Sequence, residues 1–515
     1  MSIFDEVLGG ISSIPLLGKE LNRVAINHIA SRTAPRPRSF SLWSSQSAPV
    51  PPAIGEVSDY TSWPGLTDRS FSGRHLPPAT PHYLGKLTAS PLDLLSLFKR
   101  SGEMKIDRSS VLFMFFAQWF TDSVLRVDPI DRRRNTSNHD IDLCQIYGLK
   151  EETTNILRSH HEGKLRCRIS NKESFLDYLY EQNGDNEPLV VKDEYKGLPY
   201  IGNLDAIFGG IDIGRRRKAY ATGLERGNSS IGYVAISTLF MREHNRICDN
   251  LRMVNSTWDD ERLFQTARMI NIVLLMKVVI EDYINHIAGS KIFKMDHEFA
   301  EEESWYRTNW IAIEFDILYR WHSLVPDDIK INGDFVNSDN YRHNNILFEQ
   351  IGILGVLNAA SSQPAGKIGL FNSPDFLAQA ELATLTMSRA FRLRSYNDYR
   401  AQFGLDRLRY WNDLNGDSSI TDELKKHYNS VDEVEFMVGL MAEGHSRQAL
   451  FGDLLSTMVA YDAITQIFTN PLLSRNIFNE QTFSKYGFEL IAKTTSVQDI
   501  AARNISGEVV AKLES

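Results

Sequence analysis

From about residue 90 to residue 467, apolar residues recur at helical spacing and almost nowhere alternate as they would in a strand. That period restricts the chain to a mainly α fold. In "SPLDLLSLFKRSG", Ser90 is an N-cap, Pro91 suits the first helical position and Gly102 is a stop. The spacing predicts further helices over 110–127, 171–183, 231–252, 259–287, 303–323, 378–390, 396–403, 432–441 and 446–467. No internal repeat or low-complexity tract divides this run, so the expectation is one large domain over 83–515.

Two segments precede it. Residues 34–82 are rich in Pro and Ser ("APRPRSFSLWSSQSAPVPPAIG", "RHLPPATPHYLG"), which removes backbone donors and favours an extended connection. Residues 1–33 form a short helical arm in which Ile3, Phe4, Val7, Leu8, Ile11 and Ile14 fall on one face. Such a face can lie on a membrane surface or pack on the chain's own domain, and both readings stand.

Charge and cysteine usage exclude several classes. A net charge of −9 gives no basic face for a nucleic acid, and the run Arg215-Arg216-Arg217-Lys218 is too short to supply one. Cys144, Cys167 and Cys248 are an odd, widely spaced set that makes neither a disulfide framework nor a zinc site. A reducing, cytoplasmic location is expected, with peripheral membrane contact through the arm as the one alternative. The sequons at Asn135, Asn228, Asn255 and Asn504 then carry no meaning. Asp5 and Glu6 stand where a secretory leader needs positive charge. Of the longest apolar runs, "VLFMFFAQWF" is too short to span a bilayer, and Lys277, Glu281 and Asp282 interrupt "MINIVLLMKVVI". Neither is read as a membrane span.

The segment "EFDILYRWHSLVPD", residues 314–327, holds Tyr319 and His322 three apart. With Ile311, Phe315 and Leu318 they complete one apolar stripe of a helix, with Asp316 and Arg320 facing outward and Pro326 ending it. By periodicity alone a packed core histidine beside a core tyrosine is the favoured reading. The alternative is an axial metal ligand with a redox-active phenol one turn earlier.

Resemblance shifts that balance. "AIEFDILYRWHSLVPD" is similar to the motif of the catalytic tyrosine and proximal haem histidine in cyclooxygenases. In the same order follow matches to "FMFFAQWFTDSVLRVD", "IDLCQIYGL", "GKLRCR", "TLFMREHNRICDNL", "LFQTARMINIVLLMKVVIEDYINHIAGS", "YNDYRAQFGL", "VDEVEFMVGLMAE" and "LFGDLLSTMV…NPLLS". From about residue 20 to 490 the chain resembles the peroxidase–cyclooxygenase superfamily, and Arg320 within "LYRWHS" looks more like its fungal and bacterial branches. The resemblance implies a haem peroxidase (cyclooxygenase-like) fold and haem b bound through His322. Gln118 and Trp321 would lie near the haem, Tyr319 would be the radical-forming residue, and O2 would be co-substrate.

On the distal side the family's pattern is Gln, three residues, then His. Here Gln118 matches, but Asp122 stands in the place of the histidine. A carboxylate can take over the proton transfer needed for peroxide cleavage if it is ionised and close. Arg226, sixteen residues before Arg242, matches the distal arginine of myeloperoxidase-like members and is expected to pair with Asp122. A surface arginine is the plain alternative. An ester from Asp122 to the haem is disfavoured because Thr121 holds the corresponding place. His139 aligns with a loop histidine and is read as structural or solvated.

For the substrate channel, Arg32 is the best match to the arginine that binds a fatty-acid carboxylate, with Arg36 close by. Ala463 replaces the serine that aspirin acetylates, which implies a differently shaped pocket and no assumption of prostaglandin chemistry. Three functions follow: a haem-dependent dioxygenase of an unsaturated fatty acid acting through a Tyr319 radical, a haem peroxidase or peroxygenase using Asp122 and Arg226, or a non-catalytic haem protein. The oligomeric state is left open.

Overall fold

The computed structural model describes residues 15–33, 70 and 72–515, apart from 133, 185–186, 308–309 and 446–448. The apolar positions Ile3 to Ile14, most of the Pro- and Ser-rich connection, and Arg36 lie outside the described residues.

The architecture is helical, as the period requires. The elements that build the site are α1 (Pro15–Ala30), α2 (Val111–Thr121), α3 (Ile231–Val254), α4 (Asp260–Val278), α5 (Ile313–Leu318), α6 (Asn345–Ser361), α7 (Ala378–Ala390) and α8 (Asp453–Phe468). Strands among the described residues are confined to three two-stranded antiparallel pairs, such as Cys167–Ser170 with Glu173–Leu176. This hairpin corrects the helix expected over 171–183. Asn171 and Lys172 both have positive φ, 50° and 67°, and reverse the chain in a two-residue turn that no helix can contain.

At the centre, α3 packs against α2, α4 and α6. The Ser230 hydroxyl caps α3 by accepting the Tyr233 N–H at 3.2 Å, and the Ser110 hydroxyl caps α2 through the Phe113 N–H at 3.2 Å. The two helices meet at Gly232, where an added Cβ would stand 2.1 Å from the ring of Phe115. Only a residue without a side chain permits that approach.

Helix α4 continues through a π turn (Val279–Ile284) to Asn285–Ala288. By length and composition this segment is apolar enough to cross a membrane, Lys277, Glu281 and Asp282 notwithstanding, yet 83% of its most apolar window is buried inside the protein. It is the core helix here. Arm helix α1 packs on α8, with Ile26 and Ala30 fully buried. Asn22 exchanges hydrogen bonds with the Lys294 backbone, and Asn27 accepts the Trp305 indole N–H at 2.9 Å. Over residues 15–30, then, the arm is docked on the domain.

The helix expected over 303–323 is much shorter. Gly73 donates its N–H to Ile311 O at 2.7 Å and accepts the Ile313 N–H at 3.0 Å, and the Ile311 N–H goes to His139 Nδ1 at 3.1 Å. Backbone groups committed to these tertiary partners hold residues 311–312 extended, so α5 starts only at Ile313. It stops at Leu318: Trp321 has φ −90° and ψ 54°, and a 3₁₀ turn (His322–Leu324) follows. Tyr319 and His322 therefore flank a break and do not share one helical face.

Candidate active site: a cleft between Asp122 and His322

Helix α2 is apolar almost all round and buried on nearly every side, Gln118 being its one exposed residue. That glutamine projects into a cavity of about 370 Å³. One wall carries Gln118, Thr121, Asp122 and Arg226; the other carries Asp316, Tyr319, Trp321 and His322. Arg132, Arg320 and Arg342 add positive charge to the lining. The sequence-predicted pair Gln118 and Asp122 thus faces Tyr319, Trp321 and His322 across one space.

Asp122 caps the C-terminal end of α2 and is buried. Arg226 Nη1 reaches its Oδ1 at 3.3 Å, so the pairing expected from spacing is present. Burial pushes the Asp122 carboxyl above its usual range, with Arg226, Arg126 and Tyr233 working against that rise. The pairing with Arg226 opposes this rise without cancelling it. Arg226 keeps 62% of its side chain accessible, because it faces the open cleft. The pair is therefore partly screened and contributes little to stability, while its donors remain available to a ligand.

Across the cleft, the Tyr319 and Trp321 rings stack with centroids 4.3 Å apart, and Phe315 meets Tyr319 edge-on at 4.9 Å. Burial raises the Tyr319 phenol well above its usual pKa, the neighbouring Tyr283 hydroxyl offsets part of this, and the charge of Asp462 adds to it. Tyr319 is thus held as the neutral phenol. Tyr283, on the π turn after α4, is a residue the sequence reading passed over, although it sits in the quoted segment "VVIEDYINHI".

Two outward assignments are also corrected. Asp316 is 2% exposed, and Arg320 donates to it at 2.8 Å one turn on, so both turn toward the cleft. His139 is buried, has φ 60°, and lies tilted against Trp310 with ring centroids 5.1 Å apart; it is structural. Arg32 and Ala463 do not line this cleft. Arg32 ends α1, bonded to His28 Nε2 at 2.7 Å and to Phe403 O at 3.5 Å. Ala463 is buried on α8.

Among the described residues no three His, Cys, Asp or Glu side chains converge as a metal site. A lone imidazole, opposed by Gln118 and a carboxylate and surrounded by arginines, suits iron already chelated by a planar, dianionic porphyrin that needs one axial ligand. The donor set fits haem.

Comparison with known proteins gives the family. Prostaglandin G/H synthase 2 from Equus caballus is 29% identical over 471 residues, covering 89% of this chain and 74% of that protein. The Gallus gallus enzyme is 30% identical over the same length. Among solved structures, peroxidase A from Dictyostelium discoideum aligns with a TM-score of 0.68 at 19% identity, over 86% of this chain and 95% of the other. The fatty acid alpha-dioxygenase of Arabidopsis thaliana aligns at 0.69 and 16%, over 98% and 90%. At these identities the structural likeness establishes the fold. The profile of animal haem peroxidases matches residues 123–512, from just after Asp122 nearly to the C-terminus, and takes in Arg226, Tyr319 and His322. With that match over most of its length and a haem-fitting cleft inside it, this chain belongs to the animal haem peroxidase family, a group of oxidoreductases.

Proposed function

We propose that the protein is a haem-dependent dioxygenase that adds O2 to an unsaturated fatty acid through a Tyr319 radical, giving a hydroperoxide. The observation that carries this reading is the half-buried Tyr319 side chain, its neutral hydroxyl enclosed, on the same cleft wall as His322. Names among the relatives and structural neighbours, prostaglandin G/H synthase and fatty acid alpha-dioxygenase, support the substrate class.

His322 would hold the haem iron, Trp321 and Gln118 would lie against the ring, and the cleft arginines would meet its acid groups. Haem, when bound, supplies the one-electron oxidation. Tyr319 gives up an electron and its hydroxyl proton, and the phenoxyl oxygen takes a hydrogen atom from an activated C–H bond. O2 adds to the carbon radical, and the peroxyl oxygen takes hydrogen from Tyr319 to release the hydroperoxide and restore the radical. Stacking on Trp321 and the edge contact with Phe315 fix the phenol's position, which is where the protein contributes most to such a step. Arg32 would bind the carboxylate of the lipid, with Ala463 shaping its path.

Asp122 and Arg226 favour a second activity. A carboxylate and a guanidinium 3.3 Å apart can move a proton between the oxygens of a peroxide while donating to it. The discriminating experiment follows O2 uptake by haem-loaded protein with linoleate and oleate. Tyr319→Phe should abolish uptake and leave the haem spectrum unchanged; uptake that persists rules out the radical reading. Guaiacol oxidation that survives Tyr319→Phe and fails in Asp122→Ala assigns the protein to peroxidase chemistry.

A further inference from the structure

His322 faces the cleft on one side and a carboxylate on the other. Its Nδ1 lies 3.1 Å from Oε1 of Glu381, a residue of α7 that is 2% exposed. Ser373 donates its hydroxyl to the same Oε1 at 2.6 Å. The serine is itself fixed by the backbone, donating its N–H to Phe98 O at 2.9 Å and accepting the Arg100 N–H at 2.8 Å. Among the described residues Glu381 has His322 as its only ion-pair partner, so no arginine or lysine neutralises it.

The contact is near but not closed. His322 Nδ1 is buried and completes no hydrogen bond, and the second carboxylate oxygen, Glu381 Oε2, is likewise buried without a partner. A buried donor and a buried acceptor left unpaired each cost desolvation, and an Nδ1–H directed at the carboxylate 3.1 Å away relieves the donor's share.

We propose that Glu381 is the positioning residue of the axial ligand: its carboxylate accepts the Nδ1–H of His322, fixes the tautomer that presents Nε2 to iron, and raises the basicity of the imidazole. A charged acceptor behind a ligating histidine strengthens its donation to the metal and favours the ferric state over the ferrous. The proposal rests on His322 as the haem ligand.

The test is made on the full chain loaded with haem, reading the ferric/ferrous midpoint by spectroelectrochemistry and the iron–histidine stretch of the ferrous protein by resonance Raman. Glu381→Gln is expected to move the ferric/ferrous equilibrium about tenfold toward ferrous, ~59 mV for one electron. The stretch should fall, and haem should bind roughly 10–100-fold more weakly. Glu381→Asp should restore part of each. Ser373→Ala, which leaves the carboxylate but frees its oxygen from a competing donor, should move the midpoint the opposite way. Glu381→Gln protein with the midpoint and stretch of the unaltered chain overturns the proposal. If Glu381→Gln does not fold, an unmoved midpoint in both Glu381→Asp and Ser373→Ala does so. A histidine-ligated spectrum that persists in His322→Ala overturns the ligand assignment itself, whatever Glu381 does.

Discussion

Tyr319 and Trp321 stack at 4.3 Å although a single residue separates them. On an intact α-helix residues two apart point to nearly opposite sides. The stack exists because α5 ends at Leu318 and the chain turns before His322. This break sets the direction of the Tyr319 hydroxyl.

Trp321→Ala should therefore disturb both stability and position. Removing a buried tryptophan costs about 3–5 kcal/mol, including about 0.5–1.5 from the aromatic pair. Trp321→Phe keeps a stacking face and should recover much of this. Urea midpoints measure the loss, and fatty-acid O2 uptake should fall more steeply in the alanine variant than its stability predicts.

Arg226→Ala should shift the acid side of peroxide consumption. Burial already holds the Asp122 carboxyl high, and Arg226 is the first of the groups that oppose it. Without the guanidinium the carboxyl pKa rises further, so a step needing ionised Asp122 is lost at higher pH than in the unaltered protein. Arg226→Lys should keep most of the original profile. A pH–rate curve for hydrogen peroxide with guaiacol checks both, and an unmoved acid limb in Arg226→Ala would separate Asp122 from the reaction.

Asp282 offers a test of stability against pH away from the cleft. Burial raises its carboxyl to about 6, and the Val497 N–H, donated to Oδ2 at 3.0 Å, only partly compensates. The folded-state value lies above the unfolded one, so the associated stability is present below about pH 4 and is lost as pH rises through about 6. Asp282→Asn removes this penalty and can still accept the Val497 N–H. Chemical denaturation should find the variant more stable by on the order of 2–3 kcal/mol above pH 7 and little different near pH 4.

Gly232→Ala should cost about 1–3 kcal/mol through overpacking, since the new Cβ meets the Phe115 ring. The contact joins α2 to α3, and Arg226 lies just before α3. Arg226 and Asp122 should separate as the helices spread. A lower urea midpoint together with weaker peroxidase activity is the expected pair of results.

Legibility of the fold followed the length of each element. Residues 231–252, 259–287 and 378–390 carry long, regular stripes and form Ile231–Val254, Asp260–Ala288 and Ala378–Ala390. The segments misread as helix, 171–183 and 303–323, are settled by turn geometry and by backbone bonds to Gly73 and His139, partners that local periodicity cannot contain. In the site, Gln118, Asp122, Arg226, Tyr319, Trp321 and His322 could be named because their motifs are ordered along the chain. Glu381 could not. Its meaning depends on an approach to His322 across 59 positions of sequence, and an acidic residue in the amphipathic stretch "AQAELATLTMSRA" looks like any solvated one.

The cleft is lined by residues from Met114 to Leu377, with Glu381 just beyond. A growing polypeptide exposes the Asp122 wall long before the His322 wall exists. At about 5–20 residues per second the interval on the ribosome is tens of seconds. During it the apolar face of "VLFMFFAQWF" has no opposite side. Cofactor loading is in this way a late event of biosynthesis, and truncation before Asp316 leaves a chain with half a binding site and nothing to close it.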